Sequence, residues 1–401
     1  MKKNEANTGS LVIIGGGLNA ENEVIYEKIL ELAGGREEAN IAIIPVASSV
    51  PLTVAYKYRS VFEEYHSIEN CHLIPIAGVD EEFSLGIDES KWKEYAYSEE
   101  LAQTILDHNA IFFVGGSQTR ISNVLGTEKA PPVLSAIQKL YERGGVIAGS
   151  SAGAAIMSET MIGSGESLGA LLDGVSSEDT FGDPTDDRVY LTNGLGFIKN
   201  AIIDQHFLQR GRLGRLLRAI MYTNAEYGYG IAEDTAIVFE RTDSSFQIMG
   251  DGGVIVLDVS SDVKRDQLPF EGVKINYLTH GDTFDIDRAS FTVSEGKDIE
   301  TKDSPAYETT HFEPDVFAPY AVKNMLTSGL IDNTATSTSG IAFRMKSDTE
   351  GDGIQLTFSE TGTSWGFKGE LDFEQSKYTV LNVDLSVHPI ELTITPKSNF
   401  S

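Results

Sequence analysis

The sequence predicts an α/β protein built on a three-layer, doubly wound and mostly parallel β-sheet. The first half alternates short apolar runs with segments of helical spacing. The apolar runs are continuous rather than alternating, as expected for parallel strands that are covered on both faces. Right-handed crossovers then place the carboxyl ends of the strands along one edge, where ligands bind. We predict strands at 11–16, 41–45, 72–76, 110–116 and 144–150, and helices at 21–33, 53–65, 99–108 and 133–143.

The pattern changes after about residue 235, where shorter strands separated by polar turns are predicted at 235–240, 245–250 and 253–258. Residues 281–287 are expected to close the main domain. Beyond 290 the chain is rich in Ser, Thr, Asp and Gly but keeps alternating apolar patterns, which are typical of strands. We therefore predict a main domain over 1–290 and a small β-rich appendage of open role over 291–401.

The overall charge argues against a nucleic-acid or membrane partner. The 401 residues include 31 Lys and Arg against 60 Asp and Glu, a formal net charge of −29. Such a chain repels DNA and anionic lipid at long range, and its acidity also favours solubility. The single cysteine, Cys71, excludes an intramolecular disulfide and a thiolate zinc site, and we expect it to be a core residue.

The N-terminus does not resemble a targeting segment. Residues 1–3 are Met-Lys-Lys, polar residues follow, and the apolar run at 11–14 is too short for a secretory signal. No stretch approaches the length of a membrane span. We expect a cytoplasmic protein, although a secreted chain whose signal peptide had been removed would look the same.

Ser151 is the candidate nucleophile. It lies in a G-x-S-x-G pattern formed with Gly149 and Gly153, between a predicted strand and a predicted helix. A serine on such a turn is exposed above the sheet edge, and the N–H of Ala152 can stabilise an oxyanion. The alternative is a Gly/Ser-rich loop that caps a helix or binds phosphate through its N–H groups.

A serine hydroxyl needs a base, and the base needs an orienting group. His206 follows an apolar run and is the candidate base, with a structural histidine as the alternative. Glu233 and Asp234 precede a predicted strand, and either can serve as the acid unless both are solvated loop residues. The order serine, histidine, acid differs from that of common α/β-hydrolases, which argues against an ordinary lipase or esterase.

A cluster of arginines follows His206 in this otherwise acidic chain. Three of the four are spaced to form one helical ridge. The cluster either clamps substrate carboxylates near the nucleophile or pairs with acids of the protein itself. Its members are Arg210, Arg212, Arg215 and Arg218.

The loop 112–120 follows another strand end. Gly115 and Gly116 allow the backbone to approach a ligand, and Gln118 can bind the scissile amide or a terminal carboxylate. The triplet Gly15–Gly17 after the first strand does not match the dinucleotide-binding fingerprint.

Taken together, these segments resemble the cyanophycinases, in the peptidase family that also holds the aspartyl dipeptidase E enzymes. The resemblance covers about residues 10–290. It rests on IPVASS (44–49), FFVGGSQTRI (112–121), GVIAGSSAGAAIM (145–157), DQHFLQRGRLGRL (204–216) and GYGIAEDTA (228–236).

The resemblance implies a flavodoxin-like fold related to class I glutamine amidotransferases, and a homodimer without metal or organic cofactor. It implies a catalytic triad of Ser151, His206 and Glu233, to which the N–H groups of Gly116 and Ala152 add an oxyanion site. The implied substrate is cyanophycin, a polyaspartate chain with arginine on each side chain, cut from its C-terminal end into β-aspartyl-arginine dipeptides. The implied substrate-binding residues are Gln118, Asp204, Gln205, Arg210, Arg212 and Arg215.

Two departures from the family pattern leave alternatives open. SSAGA stands where many relatives have TSAGA, and residues 291–401 have no counterpart in compact members. The rival functions are an exopeptidase or dipeptidase for other Asp-containing or small acidic peptides, and a non-catalytic protein that binds anionic ligands. A glutamine amidotransferase-like subunit is the weakest alternative, because that chemistry normally needs a cysteine at the elbow.

Overall fold

The computed structural model describes residues 9–65, 70–82, 84, 86–126, 130–241, 244–259, 263, 265, 267–369 and 377–395. Within these ranges no helix is long and apolar enough to cross a bilayer. Residues 1–3, on which the expectation of a cytoplasmic protein partly rests, lie outside the described residues.

The four predicted helices lie close to their predicted bounds, because local signals begin and end them. A further helix at Gln118–Leu125 was not predicted, and it begins inside the loop expected at 112–120. Asn22 caps the first by accepting the Ile25 N–H, and a π-helical turn, Val61–Tyr65, continues the second. The α-helices are α1 Glu23–Leu32, α2 Pro51–Ser60, α3 Glu99–Leu106, α4 Gln118–Leu125, α5 Pro132–Glu142, α6 Ala152–Ala155, α7 Ser167–Asp173, α8 Leu213–Thr223 and α9 Ala321–Leu326. Of the predicted helices, 21–33, 53–65, 99–108 and 133–143 correspond to α1, α2, α3 and α5.

The described strands fall into three sheets, and all eight strands predicted up to residue 258 are present. They are β1 Ser10–Ile14, β2 Ile41–Ile44, β3 Cys71–Leu73, β4 Ala110–Phe113, β5 Val146–Ser150, β6 Thr160–Ser164, β7 Val175–Ser176, β8 Val189–Asn193, β9 Ala201–Asp204, β10 Tyr227–Ile231, β11 Thr235–Phe239, β12 Ser245–Gly250, β13 Gly253–Asp258, β14 Phe270–Thr279, β15 Thr283–Asp285, β16 Ser290–Thr292, β17 Ile299–Glu300, β18 Phe312–Glu313, β19 Ser337–Met345, β20 Glu350–Ser359, β21 Trp365–Lys368 and β22 Tyr378–Thr393.

The first sheet has the order β16-β15-β12-β11-β1-β5-β4-β2-β3. The five strands from β1 to β3 are parallel, as predicted. Alternate residues of β1 enter two different cores: Val12 and Ile14 pack with α1 and α2, whereas Leu11 and Ile13 pack with α3 and α5. The continuous apolar runs therefore have the expected cause, which is burial on both faces of the sheet.

The prediction of one mostly parallel sheet is wrong beyond these five strands. From β11 to β16 the first sheet is antiparallel, and a second sheet runs β18-β19-β20-β22-β14-β13-β10-β9, with β21 and β17 attached at β22. Short turns between consecutive strands favour antiparallel pairing, because a parallel partner needs a long crossover. The third sheet has the order β6-β8-β7. The fold is α/β with mixed sheets, and the flavodoxin-like description stays a prediction.

Residues on both sides of the predicted boundary at 290 share the second sheet. The C-terminal β22 pairs with β14 of the predicted main domain, and residue 290 itself lies in the β15–β16 hairpin. A buried ion pair reinforces this connection, since Lys297 Nζ lies 2.8 Å from the Asp282 carboxylate and also contacts the Thr379 hydroxyl of β22. The C-terminal strands are thus hydrogen-bonded to the rest of the fold, and a division into two domains stays a prediction.

Candidate active site

Ser151 lies on a strained turn between β5 and α6. Its φ is 56° and its ψ is −110°, a conformation that non-glycine residues rarely adopt. The turn is tight: a Cβ on Gly149 would lie 2.2 Å from the Gly153 carbonyl oxygen. The Ser151 N–H donates to the Ile14 carbonyl at the end of β1 (2.9 Å), which anchors the turn to the neighbouring strand.

His206 and Glu233 come from the second sheet, where β9 and β10 run parallel and end side by side. Ser151 Oγ lies 2.8 Å from His206 Nε2, and His206 Nδ1 lies 2.5 Å from Glu233 Oε1. The three predicted residues are therefore within hydrogen-bonding reach. They meet where strand ends of two sheets converge, rather than at the single sheet edge that we expected.

The structure distinguishes the two candidate acids. Glu233 contacts the imidazole, whereas Asp234 Oδ1 accepts the Asn19 N–H (3.0 Å) and Asn22 Nδ2 (2.8 Å) near the start of α1. Glu233 is held in turn by Gln209, whose side-chain oxygen accepts the Glu233 N–H at 3.1 Å. Gln209 was not among the predicted site residues, although it lies within the segment DQHFLQRGRLGRL (204–216).

The three glycines after β1, at 15–17, contact the segments that carry His206 and Glu233. The sequence alone did not indicate this role. The Gly15 carbonyl accepts the His206 N–H (2.7 Å), and the Gly16 carbonyl accepts the Asp234 N–H (2.8 Å). Gly16 has a φ of +98°, and a Cβ there would lie 2.4 Å from the His206 ring. A Cβ on Gly17 would lie 2.8 Å from the Glu233 carboxylate. The signal available in the sequence was three glycines at a strand end, but their partners are distant in the chain.

Gly16→Ala is expected to lower kcat by about 100-fold, because the added methyl group displaces the imidazole from Ser151. Gly35→Ala is the matched control: Gly35 has a φ of +93° and nothing within 4 Å of the added Cβ. Both variants should lose about 1–2 kcal/mol of unfolding free energy from the left-handed backbone. Equal kcat values in the two variants would show that the Gly16 contact is unimportant.

A cavity of about 490 Å³ opens beside Ser151. Of the predicted residues, Ala152, Glu233 and Asp204 are not part of its wall, and Glu233 lies behind His206. Among the described residues, no three His, Cys, Asp or Glu side chains are arranged to hold a metal ion. The predicted residues that line the cavity are Gly116, Gln118, Ser151, Gln205, His206, Arg210, Arg212 and Arg215.

Asp204 is not part of the cavity wall, and its role as a direct substrate ligand stays a prediction. Its buried carboxylate receives two hydrogen bonds from Arg215, at 2.7 and 2.6 Å, and one from the Gln205 N–H at 2.9 Å. These bonds leave about one of its roughly four acceptor positions for a ligand. Asp204 therefore holds Arg215 in place.

The predicted arginine ridge divides into two groups. Arg212 and Arg215 face the cavity, whereas Arg218 donates to the Ala170 and Leu171 carbonyls and lies over the Phe270 ring. Arg218 therefore belongs to the protein's own packing, as the alternative reading of the cluster allowed.

Arg212 is a buried cation with an unused hydrogen-bond donor. It is 7% exposed, and its Nε has no hydrogen-bond partner among the described residues. Burial lowers the pKa of Arg212, and the nearby charge of Arg215 lowers it further. The cluster of Arg210, Arg212, Arg215 and Asp204 carries three positive charges and one negative charge. A carboxylate bound at Arg212 would offset the unpaired charge.

The wall of the cavity also carries acidic side chains. Asp183 and Asp187 are exposed there, and Asp186 forms two hydrogen bonds with Arg188, at 2.9 and 2.6 Å. Phe181 is 78% exposed beside them. The cavity thus presents cationic and acidic walls to one ligand.

Gln118 contributes an acceptor rather than a donor. Its Nε2 donates to the Ile162 carbonyl (2.8 Å) and to the Gly163 carbonyl (2.9 Å). Both amide hydrogens are thereby used, which leaves the side-chain oxygen for a ligand. Of the two expected targets, an N–H group of the substrate fits this arrangement and a carboxylate does not.

The surroundings of His206 favour the neutral form of its imidazole. Burial lowers the pKa of His206, and the charges of Arg210 and Arg212 lower it further, whereas the hydrogen bond with Glu233 opposes the shift. A neutral imidazole can accept the proton of Ser151.

Burial raises the pKa of the Cys71 thiol to about 12, which agrees with the expected passive core residue.

Comparison with known proteins identifies the family of this chain. Residues 11–247 match the model of peptidase family S51. A cyanophycinase of Trichormus variabilis is 32% identical over 302 residues, covering 71% of this chain and 88% of the relative. A cyanophycinase of Geminocystis herdmanii is 31% identical over 288 residues, covering 69% and 93%. The crystal structure of a peptidase from an acI-B1 actinobacterium aligns with a TM-score of 0.48 and 19% identity, covering 70% of this chain and 98% of that one.

Proposed function

Because the chain belongs to peptidase family S51 and is a serine peptidase, we propose that it hydrolyses the polyaspartate backbone of cyanophycin and releases β-Asp-Arg dipeptides. The observation that carries the proposal is the hydrogen-bonded series Ser151–His206–Glu233 at a cavity with cationic and acidic walls. Cyanophycin carries both charges, since each unit has an arginine and the chain end has a carboxylate.

In the proposed mechanism, His206 Nε2 accepts the Ser151 proton as Oγ attacks a backbone carbonyl of the polymer. Glu233 accepts a hydrogen bond from His206 Nδ1 and stabilises the imidazolium. The imidazolium then protonates the leaving amine, and water hydrolyses the acyl-enzyme by the reverse path. The glycines at 15–17 keep the imidazole in the required orientation.

The N–H groups of Gly116 and Ala152 are the proposed oxyanion donors. Neither has a hydrogen-bond acceptor in the part of the chain that the structure describes. Gly115 packs against Ser151, since a Cβ there would lie 3.2 Å from the Ser151 Cβ, which brings this loop to the nucleophile. Loss of one such donor typically costs about 10²–10³ in rate.

The charged side chains of the cavity wall indicate where the charged groups of the substrate bind. A terminal carboxylate binds at Arg210 and at Arg212, whose Nε has no hydrogen-bond partner among the described residues. A substrate guanidinium binds at Asp183 and Asp187, with the exposed Phe181 ring available for stacking. Gln118 accepts a hydrogen bond from a substrate N–H, and Gln205 also lines the cavity.

Product analysis tests the proposed function. After incubation with insoluble cyanophycin, mass spectrometry should detect β-Asp-Arg as the main soluble product. Turnover of Asp-Leu is the comparison, since a dipeptidase of the same family would cleave it. Cleavage of Asp-Leu without release of β-Asp-Arg would contradict the proposal.

The pH dependence of kcat/KM is expected to show an acidic limb with a midpoint below 6.5, the ordinary histidine pKa. Because its pKa is lowered, His206 stays neutral and active as the pH falls, until the pH drops below that pKa. Arg210→Gln removes one of the charges that lower this pKa, so the midpoint should move upward. Arg36→Gln, on an exposed arginine of another surface, should leave it unchanged. A midpoint unaffected by Arg210→Gln would contradict this account.

A further inference from the structure

A second cavity, of about 480 Å³, adjoins the candidate active site. Glu166 and Arg210 line both cavities, which makes the two cavities direct neighbours. Much of the remaining wall comes from 314–317 and 342–343. These residues lie beyond residue 247, where the match to the family model ends. The C-terminal region therefore supplies one side of a cavity next to the candidate active site.

The C-terminal wall is held firmly against the loop that carries His206. Gly211 has a φ of +57°, and a Cβ there would lie 1.9 Å from the Phe317 carbonyl oxygen, so the two backbones are in direct contact. The Tyr320 N–H donates to the Leu208 carbonyl at 2.8 Å. Gln209, which holds Glu233, also donates to the Tyr320 hydroxyl at 3.2 Å.

A second anchor joins the C-terminal wall to α7. The Arg344 guanidinium forms a bidentate pair with Asp173, with one of the two bonds at 2.6 Å. Ser167, at the start of α7, accepts the Gly214 N–H and donates to the Gly211 carbonyl (2.6 Å). The second cavity therefore lies between three segments that are fixed to one another.

The chemistry of the second cavity suits a long cationic side chain. Phe317 is half-buried, Phe343 is 41% exposed, and Leu168 adds apolar surface. Asp315 and Glu166 place exposed carboxylates beside these rings. An arginine side chain packs its methylene groups on apolar surface while its guanidinium pairs with carboxylates and stacks on aromatic faces.

We propose, resting on the proposed function, that the active-site cavity holds the two units that flank the scissile bond and that this second cavity binds the arginine side chain of the third unit of the polymer. Phe317 and Phe343 contact the stem and the guanidinium face, and Asp315 and Glu166 pair with the charge. The enzyme then prefers substrates of three or more β-Asp-Arg units, because only these fill both cavities. Through this cavity, the C-terminal region favours the polymer over short fragments as substrate.

Cleavage of (β-Asp-Arg)₂ and (β-Asp-Arg)₃ tests this inference. The wild-type kcat/KM should be about two- to fivefold higher for the three-unit substrate, as one partly exposed guanidinium–aromatic contact supports. Phe343→Ala and Asp315→Asn should remove most of this preference by lowering kcat/KM for the three-unit substrate. Phe312→Ala, on an exposed phenylalanine of the same region outside the cavity, should preserve it.

The outcomes separate the two proposals. Equal wild-type kcat/KM for both substrates, or a preference that survives both cavity variants, overturns the second subsite and leaves the proposed function intact. Failure of the wild type to cleave either substrate overturns the proposed function and the subsite with it. Retained cleavage of the two-unit substrate by each variant shows that the variant is folded.

Discussion

Ser151→Ala should abolish the release of β-Asp-Arg, with a fall in kcat of about 10⁶-fold and little change in thermal stability. The substitution removes the attacking oxygen that lies 2.8 Å from His206, and without it the imidazole has no nucleophile to activate. Mass spectrometry of the products measures the activity, and a thermal melt reports the fold. Undiminished release by the variant would exclude Ser151 as the nucleophile.

The neighbouring serine provides the control. Ser150 is the last residue of β5, is 2% exposed, and lies outside the wall of the cavity. Ser150→Ala should therefore keep kcat within about threefold of wild type, because the removed hydroxyl is not the attacking group. A fluorophosphonate probe should label the wild type and Ser150→Ala but not Ser151→Ala. Absence of labelling in the wild type would favour a non-catalytic binding protein.

Asp204→Asn is expected to reduce the free energy of unfolding by about 3–5 kcal/mol. The variant leaves the buried Arg215 without its carboxylate partner, with Arg212 nearby, and an unpaired buried charge is costly. Urea unfolding measures the effect. The control is Glu27→Gln, which breaks an exposed ion pair with Arg36 and should cost less than about 1 kcal/mol.

The same pair of variants tests the role of Asp204. If Asp204 supports Arg215, stability and substrate binding should fall together, because the arginine loses its fixed position. Unchanged stability with a raised KM would instead support the prediction that Asp204 contacts the substrate. Failure of Asp204→Asn alone to fold, with a normal Glu27→Gln, would agree with the structural role.

Features that depend on neighbouring residues were predicted well. The strands β1 to β5 and the helices α1, α2, α3 and α5 lie close to their predicted bounds, because apolar periodicity and capping residues act over one or two turns of chain. The turn at Ser151 belongs to the same group, since the glycines on either side make contact within the motif itself. The family resemblance followed from such short segments.

Features that depend on distant partners were predicted only in part. The role of Asp204 depended on the direction of the Arg215 side chain, and the role of the glycines at 15–17 depended on loops that follow β9 and β10. Residues 291–401 were predicted to contain strands but were placed in an appendage, because the partner of β22 is β14, about a hundred residues earlier. Strand patterns show which face is buried but do not identify the partner strand.

The sequence by itself determined the order of the predicted elements in the first half and the nucleophile elbow. It also supplied the candidate residues for the nucleophile, the base and the acid. Only the tertiary structure showed that Glu233, and not Asp234, contacts His206, that Asp204 pairs with Arg215, and that β22 pairs with β14. The physical reason is that periodicity and backbone strain act locally along the chain. Which side chains meet across two sheets depends on the packing of segments that are far apart in the sequence.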